Sequence, residues 1–315
     1  MDDRQAADLL SKQDHILILT HRRPDGDTIG SAAALVLALR HIGKTAYLFP
    51  NQEAHGLFTP YLEGVVAPPN FSPKYLVSVD IAAEALFPPD ATHFCGKIDL
   101  CLDHHSSNEH FAKNSCLDAT CAACGELIYR IVSLWDALSK PIALLLYMAI
   151  ATDSGCFVYS NTSPTTHRIV ADLMEYGFDH QWVNKRHFRT KSYKRLALES
   201  LIIQGLELHD NGKLAIASVT LEMMSSLSAT EEDAEDISSF IGQLAGVSYA
   251  VTLREVSHDE CKLSLRTDAS LNASTVCMLL GGGGHPAAAG CTVYTPVAEA
   301  KAAILAAIHQ VNSHA

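Results

Sequence analysis

Positive charge is scarce in this chain: 23 Lys and Arg stand against 35 Asp and Glu over 315 residues, a net charge of −12. That balance excludes broad electrostatic binding of duplex nucleic acid, which relies on many Lys and Arg contacts to phosphate. It leaves room for a small phosphorylated ligand, because cations held by carboxylates can supply the positive charge that the composition lacks. No run of about eighteen uninterrupted apolar residues occurs, so no membrane span is expected. The longest apolar runs, such as 143–151, read as buried helix. The opening MDDRQAADLL is acidic and lacks the apolar centre of a signal peptide. Internal repeats are missing, and the one biased tract is four consecutive glycines at 281–284. Nine cysteines, an odd number without a secretion signal, are expected as free thiols in a reducing cytoplasm. Cys121 and Cys124 form a single CxxC, which cannot complete a four-ligand zinc site without a second pair nearby.

What is present suits a packed enzyme: 48% hydrophobic and 18% charged residues. The length exceeds the size at which one core stops growing, so two domains are expected. Residues 15–20 read as a strand, followed by a polar loop and a helix over 28–42 closed by Gly43. Further strands are expected at 47–49, 75–79 and 98–102, and helices at 124–138 and 142–151. Strands alternating with helices imply an α/β fold with a parallel sheet covered on both faces. A second, smaller α/β domain begins near 206, with strands at 214–219, 249–255 and 262–266, the last two forming a hairpin. Its helices are expected at 229–244, 270–280 and 296–311. The expected domains are thus 1–183, a basic linker helix 184–205, and 206–315. The basic linker could extend contact with backbone phosphates or form a solvated helix face.

Four segments of the first domain gather metal-binding side chains. The loop His21-Arg22-Arg23-Pro24-Asp25-Gly26-Asp27 follows the first strand, where open α/β sheets form their sites. Pro24 and Gly26 make a sharp turn that can aim His21, Asp25 and Asp27 together. Asp80 ends the apolar run 75–79, and Asp103-His104-His105 ends the run 98–102. Asp153 follows an apolar helix. Each of these residues taken singly could be a turn former, a helix cap or a satisfied histidine. Four occurrences, each where the chain emerges from an apolar element, instead suggest one cluster. Carboxylates so gathered would repel one another unless cations intervene. Mixed carboxylate and imidazole donors suit manganese, and also magnesium or cobalt, better than structural zinc.

The string HRRPDGDTIGS resembles the first motif of the DHH phosphoesterases, H-x-x-P-D-x-D-x-x-G-S. Asp80, Asp103-His104-His105 and Thr152-Asp153-Ser154-Gly155 resemble the second, third and fourth motifs in the family's order. Ser154 stands where a threonine is common. Residues 281–290, GGGGHPAAAG, resemble the signature of the family's associated C-terminal domain. The resemblance implies two divalent metals, one held by His21, Asp25 and Asp80 and the other by Asp27, Asp80, His104 and Asp153. Asp80 would bridge them, and metals roughly 3.5–4 Å apart can activate a shared water. It also implies that His105 touches the scissile phosphate, that Asp103 orients an imidazole, and that Arg266, Gly283, Gly284 and His285 hold the non-scissile end. The active cleft would lie between the domains.

The length, without an added sensory module, is most similar to members that degrade short oligonucleotides to nucleoside 5′-monophosphates and dephosphorylate 3′-phosphoadenosine 5′-phosphate. The expected partners are short single-stranded RNA or DNA oligonucleotides or small nucleotides, with no membrane; a homodimer is compatible. A cyclic- or linear-dinucleotide phosphodiesterase stays open as an alternative. A pyrophosphatase fits less well, since those enzymes resemble a different C-terminal domain. A catalytically silent nucleic-acid-binding module sits poorly with retention of every expected ligand and with the acidic charge.

Overall fold

The computed structural model describes residues 1–54, 56–234, 237–268 and 270–313, and of His285 the backbone alone. It divides into two compact units, Met1–Thr190 and Lys191–Ala315. Among the described residues no helix is long and apolar enough to cross a membrane.

The first unit runs α1 (Asp3–Ser11), β1 (Ile16–Leu19), α2 (Gly26–His41), β2 (Ala46–Leu48), α3 (Thr59–Leu62), β3 (Tyr75–Val79), β4 (Leu100–Asp103), β5 (Asn114–Leu117), α4 (Cys124–Ser133), α5 (Lys140–Asp153), α6 (Pro164–Met174) and α7 (His180–Phe188). Its five strands are all parallel, in the order β2-β1-β3-β4-β5. Period-2 alternation divides each strand between two cores. Ile16, Ile18, Val77, Val79, Leu100 and Leu102 face the helices, while Leu17, Leu19 and Leu76 face the other side. The parallel sheet is covered on both faces, as expected, but the two covers differ. The second face is covered by loops and by 3-10 turns at Glu84–Leu86 and Pro89–Phe94, with Phe87 and Ala91 filling the layer. That segment carries Pro88 and Pro89, which cannot continue an α-helix interior.

Helix α2 is buried on nearly every side, so it is a core helix rather than an amphipathic surface one. It packs on α5 at van der Waals closeness: a Cβ on Gly30 would sit 2.4 Å from the carbonyl oxygen of Leu145.

The second unit runs α8 (Tyr193–Gln204), β6 (Glu207–His209), β7 (Leu214–Val219), α9 (Leu221–Ser226), α10 (Ile237–Ile241), β8 (Tyr249–Ser257), β9 (Glu260–Thr267), α11 (Ala273–Met278), β10 (Gly283–His285), β11 (Ala288–Val293) and α12 (Val297–Ser313). Its sheet, β10-β11-β9-β8-β7-β6, is mixed, with β7 and β8 parallel and the other pairs antiparallel. Ile304 and Ile308 of α12 pack with Val251 and Leu253 on one face. Leu198 and Ile202 of α8 pack with Ala217 and Val219 on the other.

Three expectations change here. Residues 184–205 are not one linker helix, because α7 ends at Phe188 in the first unit and α8 starts at Tyr193 in the second. Ser192 caps α8 by accepting from the N–H of Arg195, which marks a helix start there. The expected helix 229–244 is a 3-10 turn at Glu232–Ala234 and the short α10, and residues 235 and 236 lie outside those described. The expected helix 270–280 shortens to α11, capped by Asn272.

Candidate metal centre

The strand order reverses direction at β1, which has β2 on one side and β3 on the other. Such a switch point leaves a crevice at the carboxyl ends of the strands. The parallel register pairs Leu19 with Ser78 and Val79 with Leu102. His21, Asp80 and Asp103 therefore leave the sheet at one level.

The loop after β1 is fixed from several directions. Asp25 caps α2, accepting from the N–H of Thr28 at 3.0 Å. The cap and the ligand readings of this residue thus coexist. The Thr28 hydroxyl donates to the carbonyl of Val79 at 3.0 Å, which ties the loop to the residue before Asp80. A Cβ on Gly26 would lie 2.3 Å from Oγ1 of Thr152, so only glycine lets the loop meet the end of α5, beside Asp153.

Three groups of donors come within 4.8 Å: His21, Asp25 and Asp80; Asp27, His104 and Asp153; and Asp80, His104 and His105. His21 Nε2 is 3.7 Å from both Asp25 Oδ1 and Asp80 Oδ2. His104 Nε2 is 3.7 Å from Asp27, 3.5 Å from Asp80 Oδ1 and 3.6 Å from Asp153. These separations are too long for hydrogen bonds. They are close to those of donors sharing one ion, where metal bonds of about 2.1 Å put neighbouring ligands about 3.0–3.4 Å apart.

The imidazole tautomers follow from their other partners. Nδ1 of His21 meets the carbonyl of Arg22 at 2.8 Å, and Nδ1 of His104 meets the carbonyl of Cys121 at 3.2 Å. A carbonyl only accepts, so both Nδ1 atoms carry a proton, and both Nε2 atoms, the ones that would bind a cation, face the carboxylates. His105 differs. Its Nδ1–H donates to Asp103 Oδ1 at 2.8 Å, which takes that nitrogen out of the ligand set. Two donor sets remain, His21 with Asp25 and Asp80, and Asp27 with His104 and Asp153; Asp80 of the first lies 3.5 Å from His104 of the second.

Asp103 is wholly buried and belongs to none of the three donor groups. It accepts from the N–H groups of His104 and His105, from the His105 ring, and from Nδ2 of Asn108 at 2.6 Å. Asn108 went unnoticed in the sequence, since nothing marks an Asn five positions after an Asp. Asp27 is equally enclosed. Ser31 Oγ donates to it at 2.9 Å, and the N–H groups of Cys124 and Gly125, at the start of α4, donate at 2.6 and 2.9 Å. A helix N-terminus favours such a carboxylate.

Without cations the charges conflict. Burial, then the fields of Asp80 and Asp153, push Asp27 well above the ordinary carboxylate range. Burial lifts Asp153 to about 6, with His104 opposing and Asp80 reinforcing. Burial pulls the His21 imidazole down, but Asp25 and Asp80 outweigh it and raise it to about 11. Asp80 Oδ1 is buried and has no hydrogen-bond partner among the described residues. A buried acceptor left bare costs free energy unless something fills its place. Divalent cations satisfy that atom and the gathered carboxylates together, so the donor set fits them.

The remaining candidates lie in the second unit. Registers β10–β11 and β11–β9 put His285, Ala288 and Arg266 in one row of the sheet. Gly284 has φ 144°, and a Cβ there would sit 2.6 Å from the carbonyl oxygen of Ala288, so glycine is required. The N–H groups of Gly281 and Gly282 close the end of α11 on the carbonyls of Met278 and Cys277. They are thus not available to a phosphate, and any backbone cradle narrows to Gly283 and Gly284. The side chain of His285 lies outside the described residues.

Residues 15–150 match the DHH family, N-terminal domain, and residues 211–313 match the DHHA1 domain. The bifunctional oligoribonuclease and PAP phosphatase NrnA of Thermus thermophilus is 30% identical over 285 residues, which is 88% of this chain and 84% of that one. Its namesake from Bacillus subtilis is 23% identical over 298 residues, 91% of each chain. The crystal structure of an exopolyphosphatase-related protein from Bacteroides fragilis superposes with a TM-score of 0.87 at 21% identity, covering 98% of this chain and 95% of that one. At that identity the likeness speaks for the fold.

Proposed function

The chain belongs to the DHH family, and from that premise we propose that it is a metal-dependent phosphoesterase that degrades short oligonucleotides to nucleoside 5′-monophosphates and removes the 3′-phosphate of 3′-phosphoadenosine 5′-phosphate. The observation that carries this reading is the pair of donor sets gathered at the switch point of the sheet, with Asp80 of one set 3.5 Å from His104 of the other. His21, Asp25 and Asp80 would hold one divalent ion, and Asp27, Asp80, His104 and Asp153 a second. Oxygen and imidazole donors favour manganese, with magnesium or cobalt able to serve. When bound, such ions neutralise charge on phosphoryl oxygens and lower the pKa of an attacking water.

The chain's own groups do the rest. Asp103 accepts from Nδ1–H and keeps the His105 ring in one orientation, and that bond raises the imidazole to about 9, so that a second proton on Nε2 can be donated to a phosphoryl oxygen. Asn108 in turn fixes Asp103. His105 and Asp153 are about one-third exposed while Asp27 and Asp80 are buried, so the cluster has a closed floor and an open rim. Arg266, Gly283, Gly284 and His285 hold the end of the substrate that is not cleaved. A guanidinium suits a phosphate by geometry and charge. All nine cysteines are free thiols, which suits a reducing cytoplasm, where we place the protein.

The test is cleavage in manganese buffer of a short RNA series, 3′-phosphoadenosine 5′-phosphate, a linear dinucleotide and pyrophosphate, each with and without chelator. Mononucleotide release that is fastest from the shortest RNAs and abolished by chelator is expected. Activity confined to pyrophosphate, or to the dinucleotide alone, overturns the proposed substrate range.

A further inference from the structure

The segment after Asp153 has an unusual backbone. Gly155, Cys156 and Phe157 take φ of 57°, 56° and 68°, three successive residues in the left-handed region. Side chains other than glycine are rare there, and a bulky aromatic rarer still. The coil has a clear effect on its two aromatic residues. Phe157 turns inward, its ring centroid 5.6 Å from His167 and 6.1 Å from Tyr147. Tyr159 turns outward and is 52% exposed.

Tyr159 is nonetheless not loose. Its N–H donates to the carbonyl of Ser154 at 3.0 Å. Two residues on, Asn161 Nδ2 donates to the carbonyls of Ala122 and Asp153 at 2.9 and 3.1 Å, which folds the loop back on the metal-binding aspartate. The ring lies flat on Gly155. A Cβ built there would fall 2.5 Å from Cζ and 2.6 Å from both Cε1 and Cε2, a position above the ring face rather than beyond its edge. One face of the ring is therefore covered by glycine backbone, and the exposure belongs to the opposite face and edge. A half-exposed, pre-positioned aromatic face thus rises from the loop that directly follows Asp153 at the end of α5, and the Asp153 carboxylate is open at the rim of the cluster.

We propose that Tyr159 is the platform on which the base of the released nucleotide stacks while its phosphate lies on the metal centre. This deepens the nucleotide phosphoesterase reading above and rests on it. An aromatic face takes any base, because every base has a π-face, and it grips purines more firmly through their larger area. Charge plays little part, which suits a chain as acidic as this one. A ring fixed in advance by Gly155 loses little freedom on binding. Tyr159 then sets affinity for the base and leaves the phosphoryl chemistry to the cluster.

The experiment uses a dinucleotide carrying 2-aminopurine at the end to be released, whose fluorescence falls when the base stacks. Binding is read with the chelated protein and with calcium added. Turnover is read in manganese on an adenylate dinucleotide and on a dinucleotide whose released unit lacks a base. The wild type and Tyr159→Phe quench the probe, whereas Tyr159→Leu leaves it bright and raises KM for the adenylate substrate about tenfold or more, with a much smaller change in kcat. On the baseless substrate the wild type and Tyr159→Leu differ far less. Equal quenching and equal KM in the wild type and Tyr159→Leu overturn the platform while leaving the enzyme reading intact. A wild type that neither binds the probe nor cleaves either substrate overturns that reading, and the platform with it.

Discussion

Asp27 accepts the backbone N–H of Cys124 at 2.6 Å, across 97 positions of sequence. The carboxylate that the first loop contributes to the centre is thus seated on the N-terminus of α4, with the Gly125 N–H beside it. Gly125 leaves no room for a side chain, since its Cβ would meet that of Ala149 at 2.8 Å. The CxxC pair consequently serves through backbone. Burial pushes the Cys121 thiol up to about 12 and that of Cys124 well above its usual value, so neither is poised as a thiolate. A Cys121→Ala, Cys124→Ala double variant is expected to keep turnover within about threefold, apart from a stability loss of roughly 1 kcal/mol for the lost packing. Steady-state kinetics and thermal melts check this; loss of bound metal in that variant would revive a thiolate role.

Asp80 is grouped with His21 and Asp25 and also lies 3.5 Å from His104, the position expected of a bridging ligand. Asp80→Ala is expected to abolish high-affinity manganese binding, measured by calorimetry, and to remove nearly all turnover. The loss should far exceed the roughly 10- to 100-fold typical of an outer partner. Near wild-type activity in this variant would sink the two-ion arrangement.

Asn108 touches none of the expected ligands but fixes Asp103. Asn108→Ala leaves a buried carboxylate oxygen short of a donor. We expect kcat to fall about 10- to 100-fold, with about 1–3 kcal/mol lost in stability. A purely structural role would move the melting temperature alone and leave kcat unchanged.

Gly26 and Thr152 are set against each other by sterics. Gly26→Ala should destabilise by about 1–3 kcal/mol and weaken metal binding, since the new Cβ overlaps Thr152. Adding Thr152→Gly should recover part of the metal affinity. A double-mutant cycle with no coupling between the two would contradict the contact.

His187 predicts an acid limb in stability. Burial, then the neighbouring Arg186, lowers its imidazole to about 4 from an ordinary 6.5, and its Nε2 meets the Tyr61 hydroxyl at 2.8 Å. The unfolded chain takes up this proton near pH 6.5, the folded one only near pH 4. Acidification through that window therefore favours unfolding, and stability contributed by neutral His187 is lost as pH falls. His187→Asn should flatten the decline in melting temperature between about pH 6.5 and 4 relative to the wild type.

Much of the first unit was legible because β1, β3 and β4 are short unbroken apolar runs that lead into His21, Asp80 and Asp103. The run 75–79 followed by Asp80 needed no tertiary information to read. Strands β5, β10 and β11 were missed for a physical reason. Their sequences, NSCL, GGH and AAGCTV, hold few of the branched and aromatic residues that mark a pleated, half-buried surface. The break between α7 and α8 was hidden because the basic residues continue across it.

By itself, then, the sequence determined the fold class and the order of His21, Asp25, Asp27, Asp80, His104 and Asp153 along it. Apolar periodicity and chain breaks are local properties, and both are written in consecutive residues. Only the tertiary structure decided that His104 comes within 3.7 Å of Asp27, Asp80 and Asp153 together, that His105 spends its Nδ1 proton on Asp103, that Asn108 backs that pair, and that Tyr159 lies flat on Gly155. Those relationships depend on distances of a few ångströms between segments far apart in the chain, set by the parallel register of the sheet and the close packing of α2 on α5.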